Sequence, residues 1–348
     1  MKKLAAILLT MSLAVGMLAG CGGSSAPAAS GGGDSAAKKE YKLRLGTHFQ
    51  EGHAILDATN AAAKLVEEKT NGQVKITVYP ASQLGDYTLT YEELMKGTID
   101  MAVISIPSQY DPQLEMNFIP YLVTGYDQVE KAFGPGSYFF EKYTEVHKNL
   151  GVKLIGVYSE GFIGLGMNTL AADYADPASK KPQLVRAPNI EVYKLAVEDN
   201  GYTSTTIPYA DLYSALQTGV CDGWIGGSPQ LNYTGFRDVI KYYIPTNVFM
   251  ENGGVFMSQK VYDEMPEDLR SVIEETFMQE VVLKSYADAQ ANDLKAIEDL
   301  KAYGVEIKEL SDAEMQALVD HAKAVTWPKL EGNIGADVLE NLEKDLAG

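Results

Sequence analysis

The sequence predicts an α/β fold with enough chain for two lobes. Three observations carry this. Segments of period two alternate with segments of helical period along most of the chain. There are 348 residues, 46% of them hydrophobic, which favours two domains or one large one. From Glu267 to Tyr303 there is neither glycine nor proline, while Leu269, Val272, Ile273, Phe277, Tyr286, Leu294, Ile297 and Leu300 keep a roughly helical face. As one helix this stretch would run ~55 Å, beyond a lobe of ~30 Å, so it would have to lie along two lobes. Two helices meeting near Gln290-Ala291-Asn292 are the alternative, and the sequence leaves both open.

The elements follow in order. Residues 41–47 alternate and predict a strand. Ile55, Ala58, Ala62, Leu65 and Val66 recur at helical spacing from Ala54 to Lys69, and Asn71-Gly72 stops that helix. Val74, Ile76 and Val78 predict a second strand, Tyr87 to Lys96 a helix closed by Gly97, and Asp100 to Ile104 a third strand. This alternation argues for a largely parallel sheet. Val152–Tyr158 and Phe162–Met167 are expected as separate strands, parted by Ser159-Glu160-Gly161. Leu184–Ala187 is a short strand ended by Pro188, with a helix from Asn189 to Glu198 in which Asn189 is the expected N-cap. Thr203–Ile207, Cys221–Ile225 and Val239–Ile244 predict strands, and Tyr209–Gln217 a helix stopped by Gly219.

The first twenty residues are expected to lie outside this body. Lys2 and Lys3, an apolar run to Leu18 and then Leu18-Ala19-Gly20-Cys21 make a secretory signal. The cysteine placed directly after Leu-Ala-Gly is similar to the lipobox of bacterial lipoproteins, which implies lipidation of Cys21 and a membrane held only through that anchor. Residues 22–39 are rich in Gly, Ser and Ala and predict a flexible tether. Cys221 is then left without a partner, so the body must hold together by packing alone. With 29 Lys+Arg against 47 Asp+Glu the net charge is −18, or −20 once Lys2 and Lys3 are gone. That balance argues against nucleic acid as a partner.

Several stretches, taken together and in order, resemble one family. They are Glu67-Glu68-Lys69-Thr70-Asn71-Gly72; Tyr79-Pro80-Ala81-Ser82-Gln83-Leu84-Gly85-Asp86; Lys96-Gly97-Thr98-Ile99-Asp100; Leu184-Val185-Arg186-Ala187-Pro188-Asn189; and Tyr213 to Gly223, which reads YSALQTGVCDG. The chain resembles the extracytoplasmic substrate-binding proteins of tripartite ATP-independent periplasmic (TRAP) transporters, the DctP-like family, from about residue 41 to about residue 300. The resemblance implies a two-lobed periplasmic-binding-protein-like fold with hinge strands, an interlobe cleft and a long helix across both lobes. The expected partition is 1–20 signal, 21–40 tether, 41–160 with 252–290 as one lobe and 161–251 with 291–348 as the other. It also implies an organic-acid ligand, delivery to membrane transport subunits, no cofactor and no catalysis.

In that family the ligand's carboxylate pairs with an arginine, which maps onto Arg186. The chain has four arginines: Arg44, Arg186, Arg237 and Arg270. Arg44 sits on the polar side of a strand, Arg237 beside Asp238, and Arg270 in a charged helix. Arg186 follows a strand and precedes a helix start, where a planar guanidinium can take a carboxylate through two parallel hydrogen bonds. A plain ion pair is the structural alternative. Asn189 and the following helix end would add donors. The resemblance further places His48, Asp86, Ser105 and Tyr209 at the cleft; no histidine spacing suggests a metal site.

The chain departs from the family's pattern twice. Ile163 stands where many members carry a second arginine, and Gly226 where many carry an asparagine, with Trp224 nearby. A single arginine with more apolar wall suits a monocarboxylate with an apolar or aromatic tail, Trp224 being either a wall of that site or core. A secreted lipoprotein enzyme or a ligand sensor acting on a small carboxylic acid is the competing function, although no Gly-x-Ser-x-Gly or His-Glu-x-x-His pattern is present.

Overall fold

The computed structural model describes residues 39–347. The predicted signal, the lipidation site Cys21 and nearly all of the tether lie outside them. Among the described residues eleven strands form two sheets. The first sheet has the order β2-β1-β3-β10-β4, with β1 Tyr41–Thr47, β2 Val74–Tyr79, β3 Met101–Ser105, β4 Val152–Phe162 and β10 Met250–Ser258. The second has the order β11-β9-β5-β8-β6-β7, with β5 Leu165–Met167, β6 Leu184–Ala187, β7 Thr203–Thr206, β8 Gly223–Ile225, β9 Tyr242–Ile244 and β11 Glu306–Ile307.

The early elements form where the pattern places them. Helix α1, Ala54–Lys69, buries Ile55, Leu56, Ala62 and Val66, and His53 caps it by accepting from the Ile55 N–H. Helix α2, Tyr87–Lys96, is capped by Asp86 and closed by Gly97 at φ 75°, a conformation that glycine adopts without strain. Parallel pairing holds for β2-β1-β3 and for β7-β6-β8. Both sheets are nevertheless mixed, which corrects the largely parallel expectation. β10 runs antiparallel between β3 and β4, and β5 antiparallel between β8 and β9.

The sequence pattern does not predict β10, yet all nine of its residues are buried in the centre of the first sheet. Asn252-Gly253-Gly254 looks like a turn in sequence. In the fold these glycines admit aromatic rings: a side chain on Gly253 would meet the Tyr158 hydroxyl, and one on Gly254 the Phe256 ring. Ser159-Glu160-Gly161 is likewise no turn. β4 runs through it to Phe162, pairing Glu251 with Gly161.

The chain crosses between the sheets at 163–164 and again at 245–249. The two crossings are tied to each other, because the Ile163 N–H donates to Phe249 O (2.9 Å) and the Val248 N–H to Ile163 O (3.3 Å). The stretch from Glu267 to Tyr303 is one continuous helical run, with a π-helical segment at Met278–Leu283 and no break near 290–292. Its first part packs on α1 and β4, and its end reaches β11 of the second sheet. It therefore spans both sheets.

The last helices fold back toward the first sheet. Trp327–Ile334 and Ala336–Ala347 pack chiefly on elements of the first sheet's side, while Lys329 Nζ pairs with Asp199 at the end of the helix Glu191–Asp199. Trp327 Nε1 donates to Pro120 O (2.8 Å) and Asn333 Nδ2 to Glu115 Oε2 (3.0 Å), which ties this tail to the segment after β3. Among the described residues no helix is long and apolar enough to cross a membrane.

Candidate functional site

The carboxyl ends of the parallel strands from both sheets face one another, which is where open α/β sheets place ligands. His48 follows β1 and Ser105 ends β3. Arg186 lies near the end of β6, and Gly226 follows β8. These four line one small cavity of about 30 Å³, together with Tyr87, Pro188, Ile190, Tyr193, Tyr209, Leu231 and Glu251. Wider grooves lie elsewhere, such as one of about 280 Å³ between α1 and the long helix. This small cavity is distinguished by its chemistry: convergent polar groups, held inside the fold, lack partners.

Arg186 is 2% exposed. Its Nε donates to Ile207 O at 2.8 Å. Among the described residues no carboxylate oxygen lies within 4 Å of its guanidinium, so the alternative of a plain ion pair does not hold. Burial depresses its pKa, opposed by Tyr87, Tyr209 and Asp86. A guanidinium nevertheless keeps its charge at this position, so an unpaired cation sits in the wall.

Around it, Tyr209 Oη and His48 Nδ1 are buried with no hydrogen-bond partner. Such orphans are rare in native proteins and mark places where another group belongs. The His48 ring packs against Phe49 (4.2 Å between centroids) and edge-on to Tyr209 (5.4 Å), and burial pushes its pKa down to about 3. It is therefore neutral, and adds no positive charge beside Arg186. Glu251 accepts from Tyr193 Oη (2.9 Å) and, at the limit of hydrogen-bond distance, from Ser105 Oγ (3.4 Å).

Three expected residues are placed otherwise. Asn189 is exposed and is not the N-cap: Ile190 precedes the helix Glu191–Asp199 without a side-chain cap. Asn189 Nδ2 donates instead to Gln109 Oε1 (2.8 Å), a link from the segment after β6 to the segment after β3. Asp86 does not line the cavity. Its Oδ1 caps α2 by accepting from the Thr88 N–H (3.1 Å), and its Oδ2 is buried without a partner. Trp224 is fully buried and absent from the cavity wall. Its Nε1 donates to Asn232 Oδ1 (3.0 Å), its ring packs on Phe236, and it is core. Trp224→Ala should therefore lower unfolding stability by about 3–5 kcal/mol in urea titration, while Trp224→Phe leaves ligand preference unchanged.

Sequence reasoning missed Tyr87, Pro188, Ile190, Tyr193, Leu231 and Glu251. Pro188 sits within a stretch already singled out, and Tyr87 directly after Asp86. Glu251 was hidden with the strand that carries it.

Residues 45–331 match the DctP family, described as bacterial extracellular solute-binding protein, family 7. The chain belongs to this family. Its DctP-family relatives include a solute-binding protein of Albidiferax ferrireducens, 25% identical over 284 residues, covering 77% of this chain and 78% of the relative. The C4-dicarboxylate-binding periplasmic protein DctP of Vibrio cholerae is 25% identical over 285 residues, covering 81% and 84%. Among solved structures, a TRAP periplasmic solute binding protein from Desulfovibrio salexigens with bound orotic acid superposes with a TM-score of 0.80 at 23% identity, covering 88% of this chain and 99% of that one. The two-sheet architecture described above is thus the two-lobed fold of TRAP solute-binding proteins. The DctP-family chain is accordingly a binding protein of a transport system rather than an enzyme.

Proposed function

We propose that this protein captures a small organic acid by its carboxylate on Arg186 and delivers it to the membrane subunits of a TRAP transporter. The observation that carries this reading is the buried guanidinium with no counter-ion, beside the unpartnered Tyr209 hydroxyl and His48 Nδ1. A carboxylate satisfies the fork and the charge together.

The preferred ligand is a monocarboxylate. The cavity holds one arginine, and Pro188, Ile190, Leu231 and the faces of Tyr87, Tyr193 and Tyr209 make the rest of its wall largely apolar. A second carboxylate would meet no second cation there. The apolar or aromatic tail then packs on the tyrosines, and Trp224 has no part in it. A volume of about 30 Å³ admits only one or two water-sized groups, so a larger acid enters when the lobes part. The lobes meet at 163–164 and 245–249, and their mouth is fastened by Asn189 to Gln109. We place 41–162 with 250–290 in one lobe and 163–249 with 291–326 in the other. Cys21 would carry the lipid that keeps the body at the membrane.

Thermal melts against a panel of carboxylic acids, sugars and organic cations test this reading. A bound acid at 100 times its Kd adds ~2.7 kcal/mol, a rise of roughly 5 °C for a body of this size. Shifts with sugars or cations alone would overturn it.

A further inference from the structure

The cavity wall contains a second charged residue type whose role the carboxylate–Arg186 pair leaves unused. Glu251 is 5% exposed and lies on β10, on the opposite sheet from Arg186. The two residues line the same space of about 30 Å³. A ligand whose carboxylate rests on Arg186 therefore brings its next one or two atoms against Glu251.

Resting on the reading above, we propose that Glu251 selects acids that carry a hydrogen-bond donor beside the carboxylate, a 2-hydroxy or 2-amino acid, and rejects acids with a second carboxylate in that place. Both Glu251 oxygens already accept, one from Tyr193 and one from Ser105, and each oxygen has a further lone pair. A ligand hydroxyl or ammonium meets that capacity. A plain hydrocarbon at the same position leaves a buried carboxyl facing CH groups, which costs affinity without any clash. Against ionised Glu251 a second carboxylate sets like charge, which the proton of the neutral form would relieve.

The charge balance points the same way. Glu251 is faced by Arg186, Glu160, Tyr158, Tyr193, Tyr87 and Tyr209, and burial with the neighbouring Glu160 pushes its pKa up to about 8. With its proton it can donate to a hydroxyl. Once it has lost the proton, its charge is matched by a ligand ammonium, as Arg186 is matched by the ligand carboxylate.

The test compares acids of one skeleton by isothermal titration calorimetry: propionate, lactate, alanine and methylmalonate at the short end, then hexanoate, 2-hydroxyhexanoate, norleucine and butylmalonate. The expected result is binding at least tenfold tighter for the 2-hydroxy or the 2-amino acid than for the plain acid and the dicarboxylate of its set. Glu251→Gln should keep a hydroxy-acid preference and lose an amino-acid preference, which separates the two sources of the donor. Glu251→Leu, checked for folding by its circular-dichroism melt, should bring the plain acid level or ahead. Binding that depends on Arg186 but differs by less than threefold across a set, or a ratio unchanged in both Glu251 variants, overturns the role of Glu251 alone. Absence of binding by every acid overturns the carboxylate reading and this inference with it.

Discussion

Arg186→Met should abolish acid binding and leave the protein folded and, without ligand, more stable than the parent. Truncating one partner of a buried, hydrogen-bonded charge pair costs about 2–5 kcal/mol, so affinity should fall by roughly 30-fold to several-thousand-fold. The stability arm runs in the other direction. A cation 2% exposed with no carboxylate within 4 Å has lost its water and gained a hydrogen bond to Ile207 O. Its desolvation outweighs that bond, because an uncompensated buried charge costs several kcal/mol whereas one hydrogen bond to a charged group offsets about 1.5–3 kcal/mol. Methionine fills similar length with no charge. Calorimetric titration and urea unfolding of the same variant read both arms. Arg186→Lys keeps the charge but not the planar fork, and should bind weakly. Normal binding by Arg186→Met would remove Arg186 from the site; a large loss of stability would mean that the guanidinium is structural.

Much of the frame is legible in the sequence, and the reasons are local. α1, α2 and the helix Tyr209–Thr218 end at Asn71-Gly72, Gly97 and Gly219, where left-handed backbone is required. β1 and β2 carry a period of two because each has one wet face. The misses share a different cause. β10 is buried on both faces, so it has no alternation; its Gly253 answers to the Tyr158 ring on β4, information that no local window contains, and its Gly254 to Phe256 two residues on. Ser159-Glu160-Gly161 looks like a turn for the same reason: its polar side chains are buried by neighbours, not by water. Arg186 can be singled out because arginine is rare in the chain and its rivals have counter-ions or surface positions nearby. Tyr193 and Glu251 cannot, since which of 21 tyrosines or many acids turns inward depends on strand order. Asn189 deceives because a capping residue and a residue that reaches across a cleft have the same composition. Trp224 is ambiguous in sequence, and its indole N–H finds Asn232 eight residues on, which only the fold brings beneath the strand.

Stability should rise as pH falls from 8 to 6.5, and Asp293→Asn should flatten that slope. Asp293 projects from the long helix against the hinge end of β4, where its Oδ2 accepts from the Phe162 N–H (3.0 Å) and from Tyr126 Oη, and its Oδ1 has no partner. Burial pushes its pKa up to about 8, against 3.8 ordinarily. The folded protein therefore holds a proton that the unfolded chain releases, and between pH 3.8 and 8 each rising unit removes up to about 1.4 kcal/mol. Below that range both states are protonated and the stability is fully present; above it both are ionised and it is lost. Glu160 and Glu251, also raised by burial, act with the same sign. His48, His53 and His147 act with the opposite sign, because burial holds each down to about 3 and the fold forgoes protons that the unfolded chain takes up below 6.5. Below 6.5 these histidines oppose the carboxylates, so the gain on acidification should lessen there. Above that point only the carboxylates count. Urea midpoints at half-unit steps from about pH 5.5 to about pH 8.5 read the difference between parent and Asp293→Asn, in which the other groups drop out. The variant should gain most at the alkaline end and converge on the parent as pH falls; parallel curves would show that Asp293 is ionised in the fold and that the hinge is pinned by a charge rather than by a proton.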